Sequence, residues 1–404
     1  MPDMRKFATA VMRTAVGALN MIMPKRQKCV LSGFPDTEDS IVELARNLSA
    51  RGDIETIVLA EDVAASAARF PGISWCRKRS LRGFLHYLTA RFVFFTHGVY
   101  LSPKPPQSQV CVNIWHGMPI KRVGYMAGRV PPRSTVVIAT SPLFSELVGQ
   151  CFGKPRKEVL VTGLPRNDVL VRSARRACEI KEALGLAGSP VQSRLLVWLP
   201  TFRRAVRGIV CTDGKPHESI FGLDDMDIGA FETFLRSNNC VCIIKSHPMA
   251  DEYADHVVSN WIRIWRDGDL ADHGVSLYEM VGASDLLITD ASSVYVDYMI
   301  LNKPVVMAFP DIEAYRESRG FALEPVEDYF AGPLATSFAE LIAGLSESLN
   351  NDRYANCREQ VAARFHAVRD DGATRRLIAA VMPSAKKRSV ASINGLPHAP
   401  RRNV

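Results

Sequence analysis

The sequence predicts an α/β protein made of two doubly wound parallel sheets that face a central cleft. Three observations carry that prediction. Short apolar runs alternate with segments of helical periodicity, as expected for strands buried on both faces by crossover helices. The alternation occurs twice, on either side of a Gly188-Ser189-Pro190 break. A chain of 404 residues also exceeds one ordinary core and fits two domains of roughly 150–200 residues each.

The first 23 residues place Phe7, Val11, Met12, Ala15, Val16, Leu19 and Ile22 at helical spacing, with Arg5, Lys6 and Arg13 among them. Arg13 interrupts the apolar stretch, which is too short for a membrane span. No convincing cleavage pattern marks a signal peptide. Two readings of this helix stand: packed on the body, or lying on an anionic membrane surface. Residues 29–31, 56–59, 92–95, 110–114, 136–139 and 159–161 then read as buried strands, with helices at 39–50, 81–89 and 142–150. Residues 103–106 form a loop before the strand that leads to His116. A charged helix beginning near Ser173 runs into the Gly/Ser/Pro linker.

The second series has strands at 195–199, 241–244, 261–264, 286–288 and 305–308. Its helices fall at 228–236, 277–283, 294–301, 338–349 and 352–367. The domain division is therefore residues 1–27 as an amphipathic helix, 28–185 and 186–382 as α/β domains, and 383–404 as a basic tail expected to be disordered.

Composition narrows the function. With 47% apolar and 23% charged residues the chain is that of a soluble globular protein. A net charge of +8 fits an anionic partner. Basic-aromatic repeats, zinc-finger spacings and RNA-binding signatures are absent, so no nucleic-acid partner is expected. Nine cysteines include no CxxC pair, which argues against structural zinc. Those in apolar runs, such as Cys29, Cys111, Cys240 and Cys242, read as reduced buried thiols of a cytoplasmic protein. GxGxxG, Walker, GxSxG and HExxH sequences are also lacking.

Polar motifs gather at strand ends, where open α/β sheets bind ligands. Thr289-Asp290-Ala291-Ser292-Ser293 follows an apolar run and opens a helix, whose unpaired N–H groups favour an anion. Trp115-His116-Gly117 sets an imidazole at a strand end, suited to accepting a hydroxyl proton. Lys245 and His247 close another strand and can neutralise phosphate charge. Thr201 and Arg203 follow a third, the guanidinium suited to bidentate phosphate contact. Gly163-Leu164-Pro165-Arg166-Asn167-Asp168 reads as a turn in which Asn or Asp caps the next helix. Singly, each has a plain structural reading: a loop histidine, a solvated strand end or a helix cap. No histidine or carboxylate cluster has metal-ligand spacing, and neither metal nor cofactor is expected.

In order, the segments 115–121, 163–168, 200–203, 245–248 and 277–293 resemble the CDP-glycerol glycerophosphotransferase family, which includes teichoic acid primases and polymerases and related capsule enzymes. Asn302-Lys303-Pro304 and Arg319-Gly320-Phe321 continue the resemblance, which covers about residues 90 to 345. It implies a GT-B-like fold, with an acceptor-side domain first and a nucleotide-donor domain second. It implies transfer of glycerol or ribitol phosphate from CDP-glycerol or CDP-ribitol to a hydroxyl of a glycan or lipid-linked acceptor. CMP would leave, on the inner face of the cell membrane. It implies His116 and His247 as the catalytic pair, with Arg203, Thr289, Ser292 and Ser293 on the donor pyrophosphate side. Gly117, Lys121, Arg166, Asn167, Thr201, Lys245 and Asp290 are the further candidate substrate-binding residues.

Met118 stands where the family usually has threonine and Ala291 where it has tyrosine, which leaves the alditol open. The chain lacks the long extra domain of many polymerases, so a single transfer is expected. A GT-B glycosyltransferase using a nucleotide sugar, and a non-catalytic membrane scaffold, are the alternatives.

Overall fold

Thirteen strands among the described residues divide into two all-parallel sheets. The structure is a computed structural model and describes residues 2–186, 193–201, 222–245 and 259–382. The first lobe runs α1 (Pro2–Ile22), β1 (Arg26–Ser32), α2 (Asp39–Arg51), β2 (Glu55–Ala60), α3 (Val63–Arg69), β3 (Trp75–Arg77) and α4 (Leu81–Thr89). It continues with β4 (Ala90–Phe95), β5 (Val110–Asn113), β6 (Val136–Ala139), α5 (Pro142–Phe152), β7 (Val159–Val161), α6 (Pro165–Arg175) and α7 (Ala177–Ala183).

The second lobe has β8 (Arg194–Leu199), α8 (Ile228–Ser237), β9 (Cys240–Lys245), β10 (Ile262–Trp265), α9 (Asp267–Asp272), α10 (Leu277–Ala283) and β11 (Leu286–Thr289). There follow α11 (Val294–Tyr298), β12 (Val305–Ala308), α12 (Ile312–Ser318), β13 (Leu334–Ala335), α13 (Phe338–Asn350), α14 (Ala355–Phe365) and α15 (Ala373–Val381).

Strand order is β3-β2-β1-β4-β5-β6-β7 in the first sheet and β10-β9-β8-β11-β12-β13 in the second. The order reverses between β1 and β4, and again between β8 and β11. Strand ends diverge at such points and leave a crevice. The central strands are buried on both faces, which is why they read as unbroken apolar runs. All eleven predicted strands are present. The two unforeseen ones, β3 and β13, are sheet edges of three and two residues, too short for periodicity to register.

The lobes meet along α6 and α10. Gly282 permits that contact, because a Cβ there would stand 2.6 Å from the Leu170 carbonyl oxygen. The closing helices, placed with the second domain by sequence, return to the first lobe, where α15 packs on α2 and α6. Asp168 explains part of this return. Instead of capping its own helix, it accepts from the backbone N–H groups of Ala373 and Thr374, both at 2.8 Å, and so caps α15. The reason is Pro165: its fixed φ starts α6 early and leaves Asp168 inside the first turn.

The N-terminal helix α1 packs on the body, one of the two readings of its sequence. Val16 packs against the buried cluster that holds Tyr87, Leu88 and Val99, and the buried Asn20 donates to Gln109 at 2.8 Å. Phe7, Met21 and Ile22 nevertheless lie 69–76% exposed. No described helix is long and apolar enough to cross a membrane. Cys29, Cys111, Cys240 and Cys242 are buried free thiols, as expected. The predicted basic tail at 383–404 lies outside the described residues.

Candidate active site

Adjacent strands β4 and β5 both end in a His-Gly pair. After β5 the buried Asn113 accepts from the Trp115 N–H at 2.9 Å, and Trp115 itself takes a left-handed φ of 51°. Gly117 follows at φ 134°. This tight reversal turns His116 out of the sheet, where its ring lies 3.9 Å from Trp115 and stacks on His97 at 4.3 Å with 7° between planes.

His97, at the end of β4, is held in turn. The Thr96 hydroxyl accepts from Phe34 N–H at 3.2 Å and lies 2.9 Å from His97 Nδ1. His97 is exposed by surface area, yet desolvation by the groups around it, with a lesser push from Lys78, lowers its pKa to about 4. It is therefore neutral at physiological pH.

The His116 turn is clamped to the second lobe. Its carbonyl oxygen accepts from Arg166 Nη1 at 3.0 Å and from Ser293 Oγ at 3.3 Å. A Cβ on Gly117 would lie 2.2 Å from that Ser293 oxygen and 2.7 Å from Arg166 Nη2, so the approach needs glycine. Arg166 is buried, paired with Asp297 at 2.5 Å and set 3.6 Å from Glu38. Its guanidinium also lies 4.7 Å from the centre of the Tyr278 ring, whose hydroxyl donates to Asp297 at 2.6 Å. Burial works against the Arg166 charge, but Asp297 outweighs it and holds the guanidinium firmly protonated. Burial also pushes the Tyr278 hydroxyl well above its ordinary range. Beyond the turn, Lys121 bridges antiparallel to Phe321, and Arg122 N–H donates to the Gly320 carbonyl at 3.0 Å. The Trp-His-Gly and Arg-Gly-Phe segments thus form one cross-lobe clasp.

A second cluster occupies the reversal of the second sheet. Asp290, ending β11, is buried and accepts from the Thr201 N–H at 3.0 Å and from its hydroxyl at 2.5 Å, joining the ends of β11 and β8. Thr289 donates to the Leu199 carbonyl at 3.0 Å. Ser292 Oγ accepts weakly from Val294 N–H at 3.4 Å. Lys245 is buried at the end of β9. Asn167 is buried, and its amide has no hydrogen-bond partner among the described residues, an unusual state for a core polar group.

The structure thus brings His116, Gly117, Arg166 and Ser293 together, and sets Thr201, Thr289 and Asp290 as a frame at the other reversal. Arg203 and His247 lie outside the described residues. Sequence reasoning missed His97, although Phe95-Thr96-His97-Gly98 repeats the strand-then-His-Gly pattern of the next strand. It also missed Glu38 and Tyr278, whose roles exist only through contacts distant in sequence.

Two parallel sheets whose reversal points open on one cleft, joined by a returning C-terminal helix, define a GT-B-like protein. The chain belongs to the CDP-Glycerol:Poly(glycerophosphate) glycerophosphotransferase family, whose profile matches residues 18–383. It is 25% identical over 259 residues to a teichoic acid ribitol-phosphate primase of Bacillus spizizenii, covering 60% of this chain and 62% of that protein. It is 26% identical over 333 residues to the teichoic acid ribitol-phosphate polymerase TarL of Staphylococcus aureus, covering 77% and 53%. The chain therefore spans only about half to three-fifths of these two relatives. Among solved structures it resembles the wall teichoic acid polymerase TagF, with a TM-score of 0.73 at 20% identity over 94% of this chain and 97% of that one. A UDP-GlcNAc 2-epimerase from Neisseria meningitidis aligns with a TM-score of 0.54 at 12% identity, covering 89% and 100%. These structural likenesses concern the fold.

Proposed function

We propose that this protein transfers an alditol phosphate, glycerol phosphate or ribitol phosphate, from its CDP conjugate to a hydroxyl of a glycan or lipid-linked acceptor in cell-surface polymer synthesis. The observation that carries the reading is the His116 turn, whose carbonyl is held by Arg166 and by Ser293 of the second lobe. A base fixed between the lobes can serve an acceptor on one side and a donor pyrophosphate on the other.

In this reading His116 takes the proton of the attacking hydroxyl. A new P–O bond forms to the alditol phosphate as the P–O bond to CMP breaks. Lys245, His247, Arg203 and the helix start at Ser292-Ser293 offset the charge on the transferring and leaving phosphates. The unpartnered Asn167 amide and the Lys121 ammonium are further contacts for substrate, with Gly117 giving close backbone approach. Thr201, Thr289 and Asp290 fix the strand ends around the donor. The exposed apolar residues of α1, together with the 74%-exposed Leu81 at the start of neighbouring α4, support attachment to the inner face of the cell membrane.

Purified protein given CDP-glycerol or CDP-ribitol and a hydroxyl acceptor is expected to release CMP. His116→Ala should lower kcat by about 10²–10⁴-fold, the range of a lost general base, with circular dichroism unchanged. Release of nucleotide from a nucleotide sugar, but from neither CDP-alditol, would overturn the proposal.

A further inference from the structure

The His116 turn is held through one atom, its own carbonyl oxygen, and the groups behind that hold do no chemistry in the transfer reading. Two donors reach the oxygen, one from each lobe: Arg166 Nη1 at 3.0 Å and Ser293 Oγ at 3.3 Å. An oxygen caught from two directions fixes the peptide plane between His116 and Gly117. That plane, following the left-handed Trp115, governs where the His116 ring points.

Behind the oxygen stands a buried set of charges. Arg166 lies 2.5 Å from Asp297 and 3.6 Å from Glu38. The two carboxylates are not equivalent. Glu38 is already occupied at the head of α2, where it accepts from the Ser40 and Ile41 N–H groups at 3.0 and 3.3 Å. Asp297 is fully buried, and both bonds it accepts end on Oδ2, from Arg166 and from the Tyr278 hydroxyl at 2.6 Å. Its Oδ1 has no hydrogen-bond partner among the described residues. Desolvation offsets most of the attraction in such a pair, so stability alone does not account for it. Ser293 and Asp297 stand four residues apart along α11, hence on one face of it. That face holds the His116 turn twice, directly through Ser293 and through Arg166 from Asp297.

We propose, resting on the transfer reading, that Asp297 and Tyr278 are positioning residues for His116. Tyr278 aims the Asp297 carboxylate, Asp297 aims the Arg166 guanidinium, and Arg166 with Ser293 sets the turn that presents the imidazole. α11 also begins at the residues assigned to the donor pyrophosphate, so one short helix fixes base and donor relative to each other. The Tyr278 ring lies 4.7 Å from the guanidinium and backs it as a flat wall. Ring and hydroxyl thus have separable tasks, which makes Tyr278 the decisive probe.

Tyr278→Phe keeps the ring and removes only the hydroxyl. With CDP-glycerol or CDP-ribitol and a hydroxyl acceptor it should lower kcat about tenfold, the scale of a small misplacement, and leave donor KM within about threefold. Asp297→Asn should lower kcat at least as far. In a His116→Ala background Tyr278→Phe should change the residual rate by less than about twofold, because the step it serves is already gone. A merely structural tyrosine would lower the rate by the same factor with or without His116. Hydrogen exchange on the full chain needs no turnover. The Trp115 amide, which donates to Asn113, should exchange at least about fivefold faster in Tyr278→Phe, with β1 and β9 protected as before. Unchanged kcat in Tyr278→Phe, or an equal loss in both backgrounds, would overturn the assignment. Should Asp297→Asn fail to fold, Tyr278→Phe alone decides. If neither CDP-alditol yields CMP with any acceptor, the transfer reading fails. Trp115 exchange then judges the positioning, and an unchanged rate would refute it.

Discussion

His97 shows how a single side chain can shape a candidate site by holding its neighbour. Its neutral ring lies flat against His116, so the proposed base can gain a proton beside a face that carries no opposing charge. A flat neutral ring at this position should be what matters. His97→Phe is therefore expected to keep kcat within a few-fold of wild type, whereas His97→Ala loses roughly tenfold. A charged His97→Lys should move the acidic limb of the kcat against pH profile downward by repelling the protonated His116. An alanine variant with wild-type kcat and an unmoved profile would show that the stack is incidental.

Residue types at this site were legible in the sequence: His116, Gly117 and Ser293 stand out by their places at strand ends. Their use was not. Arg166 reads as a candidate substrate-binding residue in a turn, yet its guanidinium is committed to Asp297, Glu38, Tyr278 and the His116 carbonyl. Only folding brings those partners within reach, and a desolvated arginine must take partners or move.

At the scale of elements, periodicity located the strands and most helices because the sheets are buried on both faces and the helices on one. It failed where an element's reason for existing is tertiary. β3 and β13 are strands only because β2 and β12 offer them an edge. The helix α11 stops after five residues and passes into a 3₁₀ turn ended by Asn302 in the left-handed conformation. The attachment of α15 is another case, since its cap comes from Asp168, two hundred residues upstream in sequence. Asp168→Ala removes both acceptors and should cost about 1–2 kcal/mol. Thermal denaturation should record a lower Tm, and hydrogen exchange should speed up first in residues 373–381. Uniform loss of protection through both sheets would mean that the carboxylate does not act by tying this helix down.

For the whole molecule, the junction between lobes is built from carboxyl groups removed from water, and this makes its stability depend on pH. Asp39, at the start of α2 in the first lobe, accepts from the Tyr278 N–H of the second lobe at 3.3 Å. Burial, the largest influence, raises its pKa to about 7, against the hydrogen bond from Ser276 and with added repulsion from Glu38. In the unfolded chain the same carboxyl ionises near pH 4. Between those values the folded chain binds the extra proton, so rising pH weakens the fold. The full contribution is present below about pH 4, declines through the interval, and is gone above about pH 7. Asp39→Asn keeps an oxygen acceptor for Tyr278 and cannot ionise. Differential scanning calorimetry should then find the variant more stable than wild type at pH 8, with the gap closing at pH 4.5. A gap of constant size across that range would place the titrating group elsewhere. A wild type more stable at pH 8 would show that the ionised Asp39 is welcomed at the junction.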